Sequence, residues 1–147
     1  GATGYILKDA EPTELIADEP ATFETLDVCV KPKAGVVNCS TCWKCLRTEL
    51  TLEIAGKLDN YKRAFDLAAY RRVRDLFIAL VLKESSLLNK EIAEQIARRN
   101  FSVPPLARIM RHAPERLLQD LIAMRSRPEP YAKQLYWRFV ARKSAAK

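Results

Sequence analysis

The chain has 147 residues and a mass of 16.7 kDa, room for one ordinary domain or two very small ones. Its apolar content of 48% suffices for a core, its net charge is +7, and its longest apolar run, Leu76 to Leu82, is far too short to span a bilayer. Only four glycines and one histidine, His112, are present, which excludes a glycine-rich phosphate loop, a dinucleotide fingerprint and a His-rich metal site.

In chain order, Tyr5-Ile6-Leu7-Lys8 predicts a short strand, and Glu11-Pro12-Thr13 predicts the start of a helical turn through Ile16. Leu26–Val30 alternates with β-branched residues, which predicts a strand that delivers Cys29. Lys31–Val37, with Pro32 and Gly35, predicts a turn that brings the chain back.

The cysteines come next. Cys29, Cys39, Cys42 and Cys45 form C-x9-C-x2-C-x2-C, and there is no other cysteine. Three of them fall within seven residues, whereas disulfide scaffolds spread their staples and belong to smaller secreted chains. Clustered thiolates fit a tetrahedral metal site, and four of them leave no position open for water. Such a site is structural. Zinc is the favoured metal, and a cubane iron–sulfur cluster is the competing reading of the same spacing. With no secretion signal, this pattern predicts a cytoplasmic protein. The chain begins with glycine, which fits a processed piece of a longer protein.

From Trp43, the residues Leu46, Leu50, Ile54 and Leu58 recur every four positions and predict a helix to about Gly56. Trp43 and Lys44 lie between ligands and are expected to cover the metal knot. Asp66 predicts an N-cap, with Phe65 and Tyr70 as its staple and Val73, Phe77 and Leu80 along one face to about Lys83. Leu88, Ile92 and Ile96 predict the next helix, ending near Asn100. Pro104 and Pro105 open a short one through Ile109, with His112 near its C-terminal end. Pro114 at the N1 position opens another, with Leu117, Leu121 and Met124 in line. A last helix follows Pro128 and Pro130, with Tyr131, Leu135 and Phe139 inward.

Charge divides along the chain. Residues 1–60 carry 6 Lys/Arg against 10 Asp/Glu, and residues 61–147 carry 19 against 8. The basic half can meet nucleic acid, or equally an acidic surface of a partner or of missing parts of the same protein. Tyr131, Tyr136, Trp137 and Phe139 are interspersed with Lys133, Arg138, Arg142 and Lys143, a pattern that can bind single-stranded nucleic acid, although aromatics at helical spacing are more often core. No Ser-His-Asp set and no carboxylate pair suggests catalysis.

From Leu26-Asp27-Val28-Cys29 through Asn38-Cys39-Ser40-Thr41-Cys42-Trp43-Lys44-Cys45-Leu46-Arg47, the sequence resembles the C-terminal region of PP-loop ATP-pyrophosphatases such as 7-cyano-7-deazaguanine synthases. That family carries a cysteine, about nine residues, then Cys-Gly-x-Cys-x-x-Cys with a nearby arginine. The resemblance implies that Cys29, Cys39, Cys42 and Cys45 bind a structural zinc. Ser40 stands where the family has glycine, and Arg47 follows the last cysteine by two positions instead of three. The family's Ser-Gly-Gly-x-Asp-Ser loop, which holds the pyrophosphate of ATP, has no counterpart here. The implied partner is therefore a missing N-terminal ATP-binding half of the parent protein, itself an ATP-dependent ligase or synthase. The chain alone is not expected to be an enzyme.

A second resemblance lies at the N-terminus. Gly1 through Ile16 looks like the end of a receiver domain from LuxR-class response regulators, with Lys8 as the lysine of the last receiver strand. Asn89-Lys-Glu-Ile-Ala-Glu-Gln-Ile-Ala97 is similar to the first helix of that class's helix-turn-helix.

The expected architecture is mainly α: a helical bundle-like module with a four-cysteine zinc knuckle and one or two short N-terminal strands. Residues 1–25 are expected to be an irregular segment, a fragment of another domain, and residues 26–147 the zinc-knuckle plus helical domain. The expected role is that of a structural zinc module, lacking the ATP-binding loop, of a PP-loop-like protein. A zinc-stabilised basic helical module that binds nucleic acid or regulates is the alternative.

Overall fold

In the computed structural model the described residues are 13, 15–30 and 37–127, and among them five α-helices and no strand form. These are α1 (Trp43–Ile54), α2 (Leu67–Val81), α3 (Leu87–Arg98), α4 (Pro105–Met110) and α5 (Glu115–Arg125). Two 3-10 turns, Pro20–Thr22 and Leu58–Tyr61, complete the regular structure. The mainly α expectation holds.

Local chemistry sets the ends. The Asp66 carboxylate accepts from the Ala69 amide at 3.1 Å and caps α2, as the sequence predicts. The Ser86 hydroxyl does the same for α3 through the Asn89 amide at 3.2 Å. α1 stops because Gly56 adopts φ +73, which lets the amides of Gly56 and Lys57 turn back onto the carbonyls of Glu53 and Leu52. α3 stops in the same way at Asn100, with φ +53. Helix α5 starts at Glu115, with Pro114 at the N-cap position instead of N1.

α2 is the central element. Leu76 through Val81 are buried without a break, so this half of the helix is apolar on every side, and it packs against the other four helices. The main core joins it to Leu46, Leu50 and Ile54 of α1, Ile92 and Ile96 of α3, Ala107 of α4, and Leu118 and Ile122 of α5. A polar strut crosses from α1 to α2 beside this core. The Arg74 Nε meets both carboxylate oxygens of Glu53, at 2.7 and 2.9 Å, and the Tyr70 hydroxyl donates to Glu53 Oε2 at 2.7 Å.

A second apolar cluster lies on the other flank of α1. It gathers Ala17, Cys42, Cys45, Leu52, Tyr61, Ala64 and Phe65, with Phe23, Leu26 and Val28 against it. The Tyr61 hydroxyl donates to the Ile16 carbonyl at 3.0 Å and lies 2.7 Å from Thr22 Oγ1, anchoring residues 16–22 to this cluster.

Two expectations are corrected. Leu26–Val30 is not a strand. No described segment pairs with it; instead the Asn38 carboxamide supplies the partner groups, as detailed below. On α5 the predicted line of Leu117, Leu121 and Met124 holds only at Leu121, which packs half-buried against the main core; Leu117 is 45% and Met124 67% exposed, and Leu118 and Ile122 are buried instead. The apolar stripe of that helix is wider than its contact with α2, and the burial falls one position along. The predicted strand at residues 5–8, the turn at 31–36 and the helix after Pro128 lie outside the described residues.

Candidate metal centre

The four-cysteine group is assembled from three pieces of chain. Cys29 comes from the extended segment after Thr25, Cys39 from the loop before α1, and Cys42 and Cys45 from the N-cap and first turn of α1. The three-residue spacing places Cys42 and Cys45 on one face of that turn. The structure brings all four predicted residues together: their Sγ atoms lie within 4.8 Å of one another. None is in a disulfide.

Asn38 holds the segments in register. It is 1% exposed, and its Oδ1 accepts from the amides of Val28 (2.9 Å) and Cys29 (3.1 Å). Its Nδ2 donates to the carbonyls of Leu26 (2.7 Å) and Ala64 (2.8 Å). One side chain thus satisfies three backbone groups that a neighbouring strand would otherwise take, and it ties them to the chain leading into α2. This explains why Leu26–Val30 is extended without being a strand.

Backbone amides point at the sulfurs. The Cys39 amide donates to Cys29 Sγ (3.4 Å), the Cys42 amide to Cys39 Sγ (3.3 Å) and the Cys45 amide to Cys42 Sγ (3.4 Å). The last is also the N-cap bond of α1. Such donors favour thiolates. Burial pushes the Cys39 thiol up, but the amides of Thr41 and Cys42 and the neighbouring Cys29 and Cys42 groups outweigh it and bring it down to about 6. Burial pushes the Cys45 thiol strongly upward, and Cys42 and Cys39 add to the effect. Both cysteines belong to one tight cluster, so a proton on one depends on the charge of the others.

The donor set passes a geometric test for a metal. A tetrahedral ion with sulfur ligands at about 2.3 Å sets those sulfurs about 3.8 Å apart. Cys39 Sγ and Cys45 Sγ are 3.9 Å apart. Four cysteines so arranged can hold a metal ion, and no coordination position is left for a substrate.

Two further residues lie beside the centre: Ser40, read from the sequence only as a departure from glycine, and Glu49, not singled out there at all. Ser40 is fully buried with φ +62, in the left-handed region, and its hydroxyl accepts from the Asp66 amide at 2.8 Å. Glu49, one helical turn beyond Cys45, is also fully buried, and neither carboxylate oxygen makes a hydrogen bond among the described residues. Burial pushes its carboxyl up to about 10; the nearby Ser40 hydroxyl opposes this, and Cys39 and Cys42 reinforce it. The sequence did contain a signal for Glu49: it sits four residues after a ligand, with Leu46, Leu50 and Leu52 around it in the same helix.

Trp43 is half-exposed. Its ring lies 6.2 Å from that of Phe77, and it lines a cleft of 740 Å³ with Cys39, Cys42, Lys44, Ile122 and Arg127. Trp43 and Lys44 therefore flank the cysteine group, at the mouth of a cleft that reaches the end of α5. His112 lies just beyond α4, exposed. Asn89–Ala97 lie within α3. Among the described residues no helix is long and apolar enough to cross a membrane.

Comparison with family models, with curated proteins and with solved structures finds no match for the chain.

Proposed function

We propose that this chain is a structural zinc module of a PP-loop ATP-pyrophosphatase-like protein, with Cys29, Cys39, Cys42 and Cys45 as the four ligands. The observation that carries the reading is the closed thiolate group at the start of α1, within a separate apolar cluster. A group with no open position braces and does not hydrolyse. Zinc is preferred to an iron–sulfur cluster because one tetrahedral ion fills sulfurs this close, while a cubane sets its four ligands much farther apart. The metal would fix the N-terminus of α1, whose other face builds the main core, so metal binding and helix packing are linked.

The enzymatic history rests on the resemblance around the cysteines. The module would brace an ATP-binding half encoded upstream and would not itself activate a substrate with ATP. Two measurements test the proposal. Elemental analysis of the purified protein is expected to give one zinc per chain and no visible absorbance; stoichiometric iron with sulfide bands would replace zinc by a cluster. The parent transcript is expected to encode a Ser-Gly-Gly-x-Asp-Ser loop upstream; a complete reading frame without it removes the PP-loop assignment.

A further inference from the structure

We infer that the hollow between the end of α3 and α4 is a docking point for the phosphodiester backbone of a nucleic acid, with Arg108 and Arg111 as the phosphate-binding side chains. This is a surface separate from the cysteine group, and it holds whatever metal fills that group.

The chain forms the hollow for local reasons. Asn100 takes φ +53 and ends α3, sending Phe101 through Val103 across the surface as an extended link. Pro104 and Pro105 then stop the link and start α4, so Arg108 and Arg111 are three residues apart on one side of that helix. The result is a concavity of 460 Å³ lined by Asn100, Phe101, Ser102, Arg108 and Arg111, among others.

Three features select an anion. No aspartate or glutamate is among the described residues that line the hollow. Arg108 and Arg111 are exposed and form no ion pair among the described residues, whereas Arg74, Arg63 and Lys57 each meet a carboxylate. Asn100 and Ser102, whose side chains carry neutral donors, line the same hollow. Exposed arginines on a convex helix are ordinarily just solvated. Two of them at the rim of a concavity with hydroxyl and amide donors and no carboxylate form a receptor for an oxyanion.

The polymer is favoured over a lone phosphate by the surroundings. Arg116 is exposed on α5, and residues 61–147 carry 19 Lys/Arg against 8 Asp/Glu. A repeating phosphate chain can use such a series of cations, and the contact would be independent of base sequence.

The test is fluorescence anisotropy with a labelled DNA duplex and its single strand, in salt from about 50 mM to about 200 mM. Saturable binding that weakens steeply with salt is expected for at least one of the two. The double variant R108A/R111A is expected to lose about tenfold or more in affinity and to flatten the salt slope by about 2, one unit per phosphate contact. Its melting temperature should not change, because neither side chain is buried, and Lys62→Ala on the turn after Tyr61 should bind as the parent does. Absence of saturable binding, or a double variant with the parent's affinity and slope, overturns the inference. So does poly-glutamate that displaces the DNA at equal charge concentration, since the surface would then suit an acidic protein.

Discussion

The hydroxyl oxygen of Ser40 lies 2.8 Å from the amide nitrogen of Asp66, the N-cap of α2, so the loop that carries the cysteines is fastened directly to the central helix. Ser40 reaches this position with φ +62, a conformation that glycine adopts freely and serine does not. Its hydrogen bond offsets that strain. Ser40→Ala keeps the strain and leaves the Asp66 amide unsatisfied, so it is expected to cost about 1–3 kcal/mol. Ser40→Gly loses the same bond but relieves about 1 kcal/mol of strain, and should be the milder change. Urea unfolding of the two variants decides it; equal losses would mean that the backbone angle is not strained.

Asn38→Ala should be worse than either serine variant. It removes four hydrogen bonds at once and strands the Val28 and Cys29 amides in a half-buried site. The expected loss is on the order of 2–4 kcal/mol, since each unsatisfied buried group costs more than an ordinary hydrogen bond contributes. Metal affinity should fall as well, because Cys29 depends on Asn38 for its placement. A variant that keeps both its stability and its metal would show that residues 26–30 are held by something else.

Cys42→Ser tests the centre itself. Cys42 is a candidate ligand and also the N-cap of α1, with its sulfur accepting from the Cys45 amide. Serine can still cap the helix, so a loss of stability would report on the metal and not on the cap. Structural zinc in small domains is worth on the order of 10 kcal/mol. Losing one of four thiolates should therefore release the metal and lower the melting temperature markedly. Acid should act in the same direction: as pH falls, protons compete for the sulfurs, and bound metal is lost. Retention of full metal content by Cys42→Ser would remove Cys42 from the ligand set.

The helices were legible because their signals are local. Asp66 as a cap, Gly56 after α1 and the four-residue spacing of Leu46, Leu50 and Ile54 each depend on a few adjacent residues. The metal ligands were legible because only four cysteines exist and three of them cluster. What was not legible depends on distant chain. Asn38 replaces a strand only because Leu26 and Ala64 come to it from both sides. Leu117 and Met124 match a helical stripe as well as Leu118 and Ile122 do, and only the position of α2 decides which pair is buried. Ser40 appeared as a mere departure from a glycine; its hydrogen bond to a residue 26 positions away gives the departure a physical reason.

Glu49 supplies the pH dependence. Its carboxyl is pushed up to about 10 in the folded protein, first by burial and further by the nearby Cys39 and Cys42. An unfolded chain ionises the same group at about 4.3. The folded state therefore holds this proton more tightly, and its stability is complete below the unfolded value. As pH rises toward the folded value, the unfolded chain gains by ionising while the folded one does not, and stability is lost across that window. Glu49→Gln removes the titration and keeps the shape. Its stability relative to the parent should rise steadily from about pH 5 to about pH 8, by several kcal/mol, since each pH unit between the two values contributes about 1.4 kcal/mol. A bound dication would reduce the effect of the thiolates but not that of burial, so the sign should be the same in metal-loaded protein. Urea titrations of both proteins at the two pH values measure the difference. A variant that is less stable than the parent at the higher pH would show that Glu49 is ionised and paired in the fold.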